Sequence, residues 1–194
     1  MERMGNSIMR KCEEYLIGAF QDAYVVEKRN EIHVYQKNLA WLEFVNSKMR
    51  EAFGVEGKVF KRDVYLLRKR SKPAVQKLLE LKARKGELDL DFVAGLFDSE
   101  GSVYLSTKSK IPVIDITQSS KGLEFLEIAD KILGKHGIGC KLNGPYLHKH
   151  AMLPQYHLRI YWIEKCKKFL GQVPIFYVDK FDRHHLSGDY NPIL

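Results

Sequence analysis

An internal duplication constrains this chain more than any other feature. Tyr15-Leu16-Ile17-Gly18-Ala19-Phe20, spaced as a helix, is answered 77 residues later by Phe92-Val93-Ala94-Gly95-Leu96-Phe97. Two apolar–polar stretches ending in glutamine follow at a spacing of 82: Ile32-His33-Val34-Tyr35-Gln36-Lys37 and Ile114-Asp115-Ile116-Thr117-Gln118-Ser119. Next come amphipathic segments sharing Leu42-Glu43-Phe44 and Leu123-Glu124-Phe125, each closed by a glycine suited to stopping a helix, Gly54 or Gly137. A chain of 194 residues that repeats itself in this way must fold twice. Each half is short for an independent core, so the two are expected to pack tightly together.

Hydrophobic periodicity gives both halves the same order of elements. In the first, helices are predicted at about 8–22, 38–53 and 73–85, with strands at about 24–28, 31–36, 57–62 and 64–69. In the second, helices fall at about 89–100, 120–136 and 163–171, with strands at about 102–107, 111–118, 139–147 and 155–162. A turn is expected at Arg29-Asn30, and Lys82-Ala83-Arg84-Lys85-Gly86-Glu87 reads as a short charged linker. The fold class is therefore α+β, two αββαββα repeats over residues 8–85 and 88–186. Gly18 and Ala19, and Ala94 and Gly95, sit near the ends of equivalent helices, where residues without bulk let two helix backbones approach closely.

The composition, 45% hydrophobic and 29% charged, is that of a globular domain and excludes collagen-like, low-complexity and wholly disordered chains. No run approaches the roughly 18 apolar residues of a membrane span, and the first residues lack the apolar core of a signal peptide, so no membrane partner is expected. Lys and Arg number 32 against 24 Asp and Glu, a formal net charge of +8. Such an excess suits a polyanionic partner, because neutralising phosphates releases condensed counterions. Cys12, Cys140 and Cys166 are odd in number and widely spaced, which indicates neither a zinc site nor a disulfide framework. A reducing interior is the expected setting.

Val93-Ala94-Gly95-Leu96-Phe97-Asp98-Ser99-Glu100-Gly101, continuing into Ser102-Val103-Tyr104, resembles the LAGLIDADG motif of homing endonucleases. The resemblance spans nearly the whole chain: two motif helices, two αββαββα repeats and a glutamine closing each second strand. It implies a single-chain, monomeric, intron-encoded nuclease of pseudo-two-fold form, packed through the motif helices. Each half would lay a four-stranded antiparallel sheet in the major groove of double-stranded DNA, over a long pseudo-palindromic or asymmetric target. The reaction it implies is phosphodiester hydrolysis, for which Mg²⁺ or another divalent cation held by carboxylates is suited. By the same resemblance Glu100, at the eighth motif position, is a metal ligand, and a cation there would offset the unfavourable meeting of a carboxylate with a helix C-terminus. Asp98 is expected to serve the helix end or backbone rather than the metal. Gln36 and Gln118, taken as exposed strand residues, would orient water or touch phosphate. Lys72, between strand and helix, would neutralise charge at the scissile phosphate, and Lys165 is the weaker counterpart in the second half.

The first motif departs from this pattern. Aligning Gly18 with Gly95 places Ala23 opposite Glu100 and Tyr24 opposite the closing Gly101. Asp22 is the nearest carboxylate, but one helical residue is about 100° of rotation, so Asp22 reaches a metal only if the last turn unwinds. Three readings stand: Asp22 substitutes through altered geometry, the protein is naturally half-equipped, or the ligand has been engineered away at Ala23.

Duplex DNA admits a two-stranded ribbon in its major groove, and a strand presents alternate side chains to each face. In the first half, Lys28, Arg29, His33, Tyr35, Lys58, Arg62, Arg68 and Arg70 are candidates for DNA contact; in the second, Tyr104, Ser106, Lys108, Lys110, His148 and Lys149. The stretch Phe176 to Leu186 carries aromatics with Lys180 and Arg183; its adjacent His184-His185 is not read as a metal site. Two functions of different class remain: a site-specific DNA endonuclease, full, nicking or latent according to its first site, and a non-catalytic binder of DNA or RNA on the same scaffold, such as an intron maturase or a DNA-binding regulator.

Overall fold

The computed structural model describes residues 2–21, 24–83, 88–107, 109–147 and 152–177. Its elements run α1 (Glu2–Ala19), β1 (Tyr24–Val26), β2 (Glu31–Gln36), α2 (Leu39–Phe53), β3 (Lys58–Lys61), β4 (Tyr65–Arg70), α3 (Lys72–Ala83), α4 (Leu90–Glu100), β5 (Gly101–Leu105), β6 (Pro112–Ser119), α5 (Leu123–Lys135), β7 (Lys141–Tyr146), β8 (Gln155–Tyr161) and α6 (Ile163–Gln172). This is αββαββα twice, in an α+β fold. The chain divides into two compact units, Met1–Leu96 and Phe97–Leu194, so the first turns of α4 belong with the first unit. Among the described residues no helix is long and apolar enough to cross a membrane.

Local chemistry explains the helix boundaries. The Asn38 side chain accepts the Trp41 N–H at 3.1 Å, an N-cap that starts α2, and Gly54 ends it in the left-handed region at φ 66°. Gly137, at φ 68°, terminates the α5 segment in the same conformation. Asn30, at φ 53°, makes the turn expected there, although Glu27–Arg29 forms a single 3-10 turn instead of extending β1. On α2, Trp41, Leu42, Val45, Met49 and Ala52 are buried at helical spacing. Trp41 Nε1–H donates to the Tyr15 hydroxyl at 2.9 Å, fixing α1 on α2.

Both sheets are wholly antiparallel and share one strand order, β1-β2-β4-β3 and β5-β6-β8-β7. The duplication extends to individual pairs. Gln36 lies opposite Tyr65 as Gln118 lies opposite Tyr156; Val34 opposite Leu67 as Ile116 opposite Leu158; His33 opposite Arg68 as Asp115 opposite Arg159. Lys58 and Lys141 then complete the row on the third strand, opposite Arg68 and Arg159. Apolar side chains at Ile32, Val34 and Leu67, and at Ile114, Ile116, Leu158 and Ile160, are buried on one face of each sheet. The residues between them in sequence project from the other face.

Within the first unit α1 and α4 meet at their glycines. A Cβ on Gly95 would collide with the Tyr15 carbonyl oxygen and stand 2.8 Å from the Ala19 nitrogen; one on Gly18 would collide with the Phe92 carbonyl and stand 2.6 Å from the Leu96 nitrogen. Backbone cannot yield as a flexible side chain can, so the close approach expected of these residues is obligatory. Gly95→Ala should therefore lower stability by about 3 kcal/mol or more, read as a fall in thermal midpoint. Gly134→Ala in α5, where nothing lies within 4 Å of the added Cβ, should instead raise it by about 1 kcal/mol.

Candidate nucleic-acid interface

The outward face of the first sheet is mixed and basic. His33 Nε2 lies 3.0 Å from Glu31 Oε2, and the Arg68 guanidinium sits 5.3 Å from the centre of the Phe60 ring. Tyr35 is 51% exposed, and Lys58, Arg68 and Arg70 are exposed beside it. Lys28 and Arg29 lie exposed in the 3-10 turn before β2. Arg62 lies exposed in the β3–β4 turn, where its N–H donates to the Val64 carbonyl at 3.1 Å.

In the second sheet the same face carries a polar network of which only Tyr104 is among the residues expected to contact DNA. Asp115, only 4% exposed, accepts from Arg159 Nε–H at 2.9 Å, from His157 Nδ1–H at 2.9 Å and from the Tyr104 hydroxyl at 3.2 Å. Thr117 Oγ1 is 3.0 Å from the same His157 nitrogen. The Tyr146 ring stands 5.9 Å from the Arg159 guanidinium. Burial, then the Asp115 charge, pushes the Tyr104 phenol up, so it stays a donor. Burial works against the charge of Arg159, but its hydrogen bond to Asp115 and the charge of that carboxylate outweigh burial and raise its pKa. A signal was present: in Ile114-Asp115-Ile116 and His157-Leu158-Arg159-Ile160-Tyr161, polar residues alternate with apolar ones. Ser106 and Lys110 lie in the β5–β6 turn, Ser106 bonded to Ser109 and Lys110 at φ 54°. Lys108, His148 and Lys149, with Lys180, Arg183, His184 and His185, lie outside the described residues.

The motif helices end differently. Helix α4 runs to Glu100, half-buried, and passes directly into β5 at Gly101. Asp98, 1% exposed, accepts the backbone N–H groups of Phe176 at 2.8 Å and Tyr177 at 3.0 Å, the backbone role expected of it. Helix α1 stops at Ala19, and Gln21 Nε2–H turns back to donate to the Ile17 carbonyl at 2.5 Å. Asp22 and Ala23 lie outside the described residues.

One expectation is corrected. Gln118 is not an exposed strand residue: it is 6% exposed, because it shares the strand face of Ile114 and Ile116, and its amide lies against Gly122. Its Nε2 has no hydrogen-bond partner. Gln36, the last residue of β2, is half-buried and accepts the Lys37 N–H at 2.8 Å. Lys72 opens α3 and is exposed, while Lys165 lies in α6 near Gly139. Among the described residues no group of three or more His, Cys, Asp or Glu could hold a metal. Any cation there would rest on Glu100 with few protein ligands, a donor set that suits Mg²⁺, which keeps several waters and shares phosphate oxygens.

Two αββαββα repeats with paired antiparallel sheets define an architecture used by single-chain DNA endonucleases, and the comparisons agree. The I-DmoI homing endonuclease in complex with DNA and Mn aligns at a TM-score of 0.64 and 19% identity, over 85% of this chain and 97% of its own. A glycine-to-serine variant of I-DmoI with its target DNA and Mg aligns at 0.66 and 19%, over 87% and 98%. A lysine-to-alanine variant of I-SmaMI aligns at 0.56 and 14%, over 91% and 89%. None of the curated proteins matches the sequence. Residues 87–174 match the family described as a LAGLIDADG-like domain. The second repeat is thus a LAGLIDADG-like domain, and the chain as a whole has the homing-endonuclease fold.

Removing the Asp98 carboxylate strands two backbone donors. Asp98→Ala should lower unfolding free energy by about 3 kcal/mol, measured by urea denaturation; an unchanged midpoint would contradict the structural role.

Proposed function

We propose that this chain is a site-specific endonuclease of double-stranded DNA, monomeric and dependent on a divalent cation. The observation that carries this reading is the pair of matched sheets, each with a buried apolar face and a polar, arginine-bearing one, joined to motif helices of which the second ends in Glu100. Ribbons of this kind fit the major groove, where each base pair presents its own pattern of donors and acceptors. Lys28, Arg29, Arg62, Arg70 and Lys110, at turns and strand ends, suit backbone phosphates.

Glu100 would hold a cation in the second repeat and Asp22 in the first. Counted from the glycines, Ala23 matches Glu100; counted from the strands, Asp22 does. Tyr24 pairs with His33 and Ser102 with Asp115, and these partners occupy the same row, so Asp22 and Glu100 each stand two residues before it. The first repeat has one residue fewer between glycine and strand, and α1 ends at Ala19 where α4 continues to Glu100. The early end of α1 supports substitution by Asp22. Divalent cations supply charge neutralisation at the scissile phosphate and an activated water. The chain's own groups do the rest. Gln36 suits a water or phosphate oxygen, the buried, unpartnered Gln118 amide suits a water, and Lys72 offsets phosphate charge.

Ala23 favours a second reading, a non-catalytic DNA- or RNA-binding protein of the maturase or regulator type. Cleavage decides between them. With a target duplex and Mg²⁺ the protein should cut, Glu100→Gln should abolish cutting while binding persists, and Asp22→Asn should do the same. Binding without cleavage under every divalent cation would favour the second reading. Binding should also fall by roughly 10³ between about 50 and 200 mM salt if some six phosphates are contacted.

A further inference from the structure

The two sheets match pair for pair, yet one row differs in a way that bears on what each can read. In both, an inner-strand arginine has a lysine beside it: Arg68 with Lys58, and Arg159 with Lys141. Across the inner pair Arg68 faces His33, whereas Arg159 faces Asp115. A long cationic side chain on a strand surface ordinarily samples many rotamers, and ordering it on binding costs conformational entropy. Asp115 removes much of that freedom beforehand. Its carboxylate is buried, accepts Arg159 Nε–H at 2.9 Å, and is itself held by His157 and Tyr104. The Tyr146 ring, 5.9 Å away, flanks the guanidinium, and Tyr161 on the same strand face helps to favour its charged form. Arginine has five N–H donors in a planar fork. With one given to Asp115, enough remain for the two parallel bonds that guanine O6 and N7 accept in the major groove. Asp115 has its own oxygens occupied by protein donors, so it positions and does not read.

Among the described residues no carboxylate holds Arg68. It lies exposed over the Phe60 ring, and Glu31, on the same face, pairs with His33. Such a side chain suits a phosphate, where charge matters and orientation does not.

We propose that the two half-sites are read unequally: Arg159, held by Asp115, reads a guanine in the half-site under the second sheet, while Arg68 at the equivalent row contributes charge without base preference. The inference rests on the reading of the chain as a site-specific DNA binder. The target is accordingly asymmetric at this row.

The test is selection of bound duplexes from a randomised library by the full chain in EDTA, so that binders are recovered uncut, for the parent protein and three variants. The parent should yield a motif with a guanine column in one half. Arg159→Lys keeps the charge and loses the fork, so preference at that column alone should fall about 5- to 150-fold. Asp115→Asn should relax the same column and spare the rest; if it does not fold by circular dichroism, Arg159→Lys still decides. Arg68→Gln, which removes the charge, should weaken all sequences alike. An unchanged motif with Arg159→Lys, a loss spread evenly over every column with that variant, or a base column lost with Arg68→Gln would overturn the proposal while site-specific binding stood. A parent protein that selects no motif would instead remove the reading beneath it, and the proposal with it.

Discussion

Burial of one face of each sheet organises this molecule. Ile32 and Val34 in β2, Leu67 in β4, Ile114 and Ile116 in β6, and Leu158 and Ile160 in β8 are buried on that face, and this fixes register, because a slip by one residue would turn every side chain to the wrong face. The residues between them turn to the other face: His33 and Arg68 in one sheet, Asp115, His157 and Arg159 in the other, with the buried Leu66 and Val113 among them. The polar face is thus a consequence of core formation and is held by the same register. That constraint is what a surface meant to distinguish base edges requires, since a loosely held donor loses both affinity and discrimination on binding.

Much of the fold is legible in the sequence because the duplication lets each half check the other. Strand β2 falls on residues 31–36 as read from alternation, and α2, α4 and α6 depart from expectation by only a residue at an end. Helix α1 is the clearest miss at a site-bearing end. Its apolar spacing continues through Phe20, but the chain leaves the helix after Ala19, and nothing in the pattern of apolar residues marks that point. Gln118 departs from expectation because polarity does not imply exposure: it shares the parity of the buried Ile114 and Ile116. The Asp115 network is not legible for a related reason, since its partners lie on other strands and only the register brings them together.

The repeats are alike in scaffold and unlike in chemistry. Pairing order, register and helix-stopping glycines are shared, as expected where the same core must be buried twice. The departures include the end of the motif helix, at Ala19 in one repeat and Glu100 in the other, and one row of the polar face, with His33 in one and Asp115 in the other. Both lie off the buried apolar face that the repeats share, so each repeat can diverge in what it contacts. Function, in this arrangement, resides on positions that folding leaves open.

The central claim is that the outward faces of the two sheets meet base edges in the major groove. Dimethyl sulfate interference on a selected duplex tests it directly, because the reagent methylates guanine N7 in the major groove and adenine N3 in the minor groove. The account predicts that methylation at particular guanine N7 atoms excludes duplexes from the bound fraction while adenine N3 methylation is tolerated. Interference confined to adenine N3, or its absence at every guanine, would contradict it.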